Sequence, residues 1–133
     1  MNTRLLVPAL FLTVVVSACR FGGWKEEVAM SPLGGRIVLE TEAGMMAGEL
    51  LLVEAEGILV LDPEDRLYQA PWTALRALNF RDRPVGSLTG GREPTPAHRD
   101  EMRLASRYPF GLTPEQRAAL LEARGQDEPR VLP

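Results

Sequence analysis

The chain has 133 residues, with 15 Lys and Arg against 18 Asp and Glu, a formal charge of −3, one cysteine and one histidine. That length suits one small domain with an appendage. The acidic balance argues against a nucleic-acid partner. A lone cysteine excludes an intramolecular disulfide, and one histidine beside it cannot assemble the usual zinc sets.

The first element is a leader. Arg4 supplies a positive start, and Leu5 to Val16 is an apolar run broken only by Pro8 and Thr13. This is shorter than the ~20 apolar residues that span a bilayer. Val16-Ser17-Ala18-Cys19 then places small residues before the only cysteine. A charged start, a short apolar run and a small-residue cut site form an export signal. The last four residues resemble the lipobox of bacterial lipoproteins. That resemblance implies a signal peptide over 1–18, cleavage before Cys19, and lipid on Cys19 (thioether-linked at the sulfur, with an acyl group such as palmitate on the amine). Several acyl chains together anchor a protein stably. Arg20, rather than Asp, follows the cysteine, and the same resemblance then favours the outer membrane over the inner, with the chain facing the periplasm.

Residues 19–35 read as a lipidated tether, punctuated by Gly22-Gly23, Pro32 and Gly34-Gly35. Trp24 either docks on the domain or lies in the lipid interface. Residues 36–80 read as all-β. Ile37-Val38-Leu39 opens a strand rich in β-branched residues. Met45 to Glu54 is a longer strand, with Gly48 marking a bulge or bend. Ile58 to Leu61 is apolar on both faces and therefore central. Asp62-Pro63-Glu64-Asp65 is a turn with proline preset at its first corner. Arg66 to Ala70 is a fourth strand, Pro71 to Leu75 a single helical turn, and Arg76 to Phe80 a fifth strand.

Five short strands, a bent second strand and a helical turn before the last resemble the SH3-like small barrels, including the Sm-like type. The residues that carry the likeness are Ile37 to Leu39, Met46 to Leu51, Ile58 to Leu61 and Pro71 to Leu78. It implies a five-stranded small barrel. The RNA-contacting signature of the Sm-like proteins is absent, so no RNA binding is implied. Such barrels host many unrelated functions.

Residues 81–94 hold Pro84, Gly86, Gly90-Gly91 and Pro94 and read as a linker. Residues 95–125 read as a helical hairpin. Thr95-Pro96 and Thr113-Pro114 each supply an N-cap and a first-turn proline. Gln116 completes a capping box with Thr113, and Gly125 caps the second helix. Residues 126–133 read as a frayed tail. The expected fold class is mainly β plus α. The stretch Met102 to Gln126, which carries the run Ser106 to Pro114, is similar to tails of other bacterial proteins, a resemblance that implies no activity.

Charge is laid out unevenly. The acids cluster between Glu26 and Asp65 and the arginines between Arg66 and Arg124. This predicts either a dipolar surface that steers a partner or, preferably, an acidic sheet face beside a basic tail. Chemistry does not assemble. Ser31, Ser87 and Ser106 lack a nucleophile-elbow context. His98 stands without partners in the first turn of a helix. Asp62 to Thr73 ends in Thr rather than the Glu that closes a calcium loop. The pairs Glu40/Glu42 and Glu54/Glu56 share a strand face, which more often is a solvated face than a glycosidase pair.

The reading is therefore not an enzyme, with no cofactor and no metal. It is a membrane-anchored envelope lipoprotein acting as an interaction or assembly module with a protein partner. The alternative is a small-ligand-binding or sensing lipoprotein that uses the barrel mouth. The candidate interaction residues are Tyr108, Phe110 and Trp72. Trp72 is expected to plug the end of the barrel, and Tyr108 to Leu112 to pack the helix pair against it, with a docking loop as the other reading.

Overall fold

The computed structural model describes residues 33 to 133. The expected leader, the expected lipobox with Cys19, and the expected tether up to Pro32 lie outside the described residues.

The domain is a mixed sheet with two helices. Strands β1 (Arg36–Thr41), β2 (Gly44–Val53), β3 (Gly57–Leu61) and β4 (Leu67–Pro71) form an antiparallel meander. A 3-10 turn (Trp72–Ala74) leads into β5 (Ala77–Phe80), which returns to pair with β1. These five strands, the turn and their order in the chain match the sequence expectation. Helices α1 (Pro96–Leu104) and α2 (Pro114–Glu122) follow. Thr95 and Thr113 cap them as expected: each side chain accepts the amide of the residue three positions on. The Thr113–Gln116 capping box is complete.

The expectation of a closed five-stranded barrel is corrected. Two further strands, β6 (Leu88–Thr89) and β7 (Arg130–Val131), make seven, in the order β6-β5-β1-β2-β3-β4-β7. They arise in the stretches read as linker and tail. Each is only two residues long, too short to show period-two patterning. They take the outer edges beside β5 and β4, so the sheet stays open rather than closing on itself. Covering β4 matters, because a bare edge invites pairing with other chains. The Gln126 side chain also caps that edge, accepting from Leu67 N at 2.8 Å and donating to Leu67 O at 3.2 Å.

β3 explains the core. Its continuous apolar run, Ile58 to Leu61, sits between β2 and β4 and feeds both faces of the sheet. Ile58 and Val60 join a cluster with Ile37, Leu39, Leu50, Trp72, Leu78 and Met102. Leu59 joins a second cluster with Leu51, Leu67 and Leu121. Burial of each such side chain contributes about 1.5–3 kcal/mol. The helices thus serve different clusters, α1 through Met102 and α2 through Leu121.

The bulge in β2 is displaced from its expected place. The register shifts between Leu50 and Leu52, not at Gly48. Gly48 instead permits close approach, since a Cβ there would stand 2.5 Å from Val60 Cγ1 and 2.7 Å from Leu61 O.

Candidate interaction site

The bulge turns backbone groups of β2 away from β3, and the carbonyls of Leu50 and Leu51 accept from Arg107 N at 3.0 Å and Tyr108 N at 2.9 Å. The segment after α1 is thereby laid along β2. On its other side Gly35 N donates to Ala105 O at 2.7 Å, and Leu50 N donates to Gly35 O at 2.9 Å. The end of the expected tether, Gly34-Gly35, is therefore buried within the domain.

An ion pair locks this junction. Arg107 grips Glu49 with two parallel hydrogen bonds, Nε to Oε1 at 2.7 Å and Nη2 to Oε2 at 2.6 Å. Gly34 N also donates to Glu49 Oε1, at 2.6 Å. Bidentate charge-assisted geometry is the strong form of such a pair. Burial works to lower the Arg107 pKa, but the Glu49 hydrogen bonds and charge, with Tyr108 adding to them, hold it above the ordinary arginine range.

Beyond Arg107 the chain turns sharply. Gly111 N donates to Tyr108 O at 3.1 Å, and Gly111 takes φ +87°, a conformation glycine adopts without strain. Arg103 Nη1 pins the corner by donating to Pro109 O at 2.9 Å. Tyr108 and Leu112 face inward, packed against the second cluster. Phe110, at the corner, is thrown outward and is 94% exposed. The expectation that this stretch packs therefore holds for Tyr108 and Leu112 and fails for Phe110, because a tight turn alternates the directions of its side chains.

Leu104 and Leu33 are also largely exposed. Arg83 donates to Leu33 O at 2.5 Å and to Ala105 O at 3.3 Å, tying the start of the domain to the end of α1. Three exposed large apolar side chains thus sit on segments held together by Arg83 and Arg103. An adjoining groove of about 310 Å³ is lined by Tyr108, Leu112, Leu120 and the Ala119 and Ala123 face of α2. The sequence reading counts Leu104 in the apolar stripe of this helix with Met102 and Ala105; the structure corrects that, since Leu104 stands two residues from Met102, off the buried face. Leu33 carried no sequence signal.

Trp72 sits elsewhere. It is 1% exposed, its Nε1 donates to Ala55 O at 3.0 Å, and the Arg99 guanidinium lies 5.6 Å from the ring centroid. It packs the core and offers no surface to a partner.

The other polar residues have structural duties. His98 Nε2 donates to Gly86 O at 2.6 Å, fastening α1 to the preceding loop. Asp62 Oδ1 accepts from Glu64 N at 3.0 Å and Arg66 N at 2.8 Å, closing the β3–β4 turn. Acids of the first half pair with arginines of the second: Glu49 with Arg107, Glu54 with Arg117, Glu42 with Arg76 and Asp65 with Arg124. Glu42–Arg76 is well exposed and contributes little.

No protein-family model, no curated protein and no solved structure matches this chain.

Proposed function

We propose that the protein is a lipid-anchored component of the bacterial cell envelope that works without catalysis, as an interaction or assembly module. The leader and the Val16 to Cys19 lipobox support the anchor, and Arg20 favours the outer membrane. The order β5-β1-β2-β3-β4, with a 3-10 turn before β5, supports an SH3-like reading of the central strands. The observation that carries the interaction role is the exposed set Phe110, Leu104 and Leu33 beside the Tyr108–Leu120 groove. Exposed large apolar side chains next to an apolar groove suit a contact surface. The partner is an apolar or aromatic segment of another envelope protein.

Two experiments test the two halves. A fatty-acid probe labels the wild type and not Cys19→Ser; equal labelling would end the anchor reading. A photo-crosslinking residue placed at position 110 in cells yields a discrete adduct that the same group at Val131, on β7, does not. Identical adducts from both positions would end the interface reading.

A further inference from the structure

On the sheet face opposite the first core cluster, a cleft of about 480 Å³ opens across β1, β2 and β3. Val38, Ala47 and Leu61 form its apolar floor. Arg36 and Arg81 line one end. Arg81 N donates to Arg36 O at 2.8 Å, continuing the β1–β5 ladder one step past the Ile37–Phe80 pair. The two arginines are therefore cross-strand neighbours on one face. Like charges so placed repel and destabilise a sheet.

The nearby acids make no direct bond to either guanidinium. Glu49 is the register partner of Arg36 on β2, yet its oxygens are committed to Arg107 and Gly34. Asp82 follows Arg81 in sequence, but its Oδ1 accepts the backbone amide of Arg36 at 2.9 Å. Asp62 lies at the far end of the cleft, closing its own turn. Among the described residues, the Arg36 and Arg81 guanidinium groups carry no hydrogen bond or ion pair.

We infer that this cleft binds an amphiphilic oxyanion, an alkyl phosphate or alkyl carboxylate, with the headgroup between Arg36 and Arg81 and the alkyl portion along Val38, Ala47 and Leu61. Two guanidinium forks suit the planar, bidentate recognition of phosphate and carboxylate. An apolar floor with a few convergent polar groups is the usual make-up of a small-molecule site. The same chemistry is presented by a phospholipid headgroup with its chain and by a free fatty acid. The inference does not rest on the anchor or on the Phe110 surface.

The test uses the full chain as isolated, in non-ionic detergent, with protein-free micelles as the blank. Hexyl phosphate, hexanoate, inorganic phosphate and hexanol are titrated by calorimetry, and the arginine Nε–H signals are followed by NMR. Hexyl phosphate and hexanoate shift the Arg36 and Arg81 signals, while inorganic phosphate and hexanol each bind about tenfold or more weaker, since each lacks half of the contacts. Arg36→Gln and Arg81→Gln each weaken hexyl phosphate binding by about tenfold, the worth of a charge-assisted hydrogen bond. Without ligand both variants melt at or above the wild type, because the repulsion is gone. Ala47→Leu fills the floor, weakening hexyl phosphate and leaving inorganic phosphate unchanged. Preference for hexyl phosphate over hexanoate points to a phospholipid source, and the reverse to a fatty acid. Hexanol binding as tightly as hexyl phosphate would remove the anion site. Inorganic phosphate binding as tightly would remove the apolar half. Wild-type affinity in the Arg36→Gln/Arg81→Gln double variant would overturn the inference entirely.

Discussion

The Glu49–Arg107 lock makes a quantitative claim about what holds the segment after α1 to the sheet. Glu49→Ala removes the carboxylate that Arg107 grips and the acceptor of Gly34 N. Breaking a fully buried pair from one side costs about 3–5 kcal/mol. Here the side chains keep 15% and 23% exposure, so water recovers part of the loss, and about 2–3 kcal/mol is expected. In a domain of this size that lowers Tm by about 10 °C or more. Glu49→Gln, which keeps a carbonyl for Gly34 N, falls between. A double-mutant cycle with Arg107→Met, read by urea denaturation, gives a coupling of about 1–2 kcal/mol. The Arg107 pKa is raised in the folded state. A raised cation contributes stability that is complete below its unfolded pKa and lost as pH climbs through the folded one. The contribution of Arg107 therefore stays constant through neutral and mildly alkaline pH and declines only above about pH 12. A Glu49→Ala protein melting within about 2 °C of wild type, or a coupling near zero, would refute the lock.

Three further outcomes follow from the packing. Leu59→Ala, at a fully buried position, lowers stability by about 2–5 kcal/mol, whereas Phe110→Ala stays within about 0.5 kcal/mol of wild type; parallel thermal melts that show equal losses would put Phe110 in the core. Gly34→Ala places a Cβ 2.0 Å from Leu50 O, so it costs about 3 kcal/mol or more, and denaturation indistinguishable from wild type would disprove the close approach. Gln126→Ala removes both hydrogen bonds to Leu67 for about 1–2 kcal/mol; hydrogen exchange at the Leu67 amide speeds up, and unchanged protection would mean that β4 is covered without Gln126.

Local signals alone determined much of this protein. Thr95, Thr113, Gln116 and the prolines beside them specified where both helices start, because capping is decided within one turn of chain. The run Ile58 to Leu61 announced a central strand, because only a strand between two neighbours can bury both faces. What the tertiary structure alone decided involves residues far apart in sequence. β6 and β7 exist only because β5 and β4 offer them an edge. Gly34 and Arg107 are joined by Glu49, which neither neighbours in sequence. The segregation of acids and arginines along the chain became pairing across the fold, Glu54 to Arg117 and Asp65 to Arg124. Phe110 faces outward and Tyr108 inward because a four-residue turn, anchored by Gly111 N and Arg103, fixes their directions. Composition reports that both are aromatic; only the closed backbone determines which one water meets.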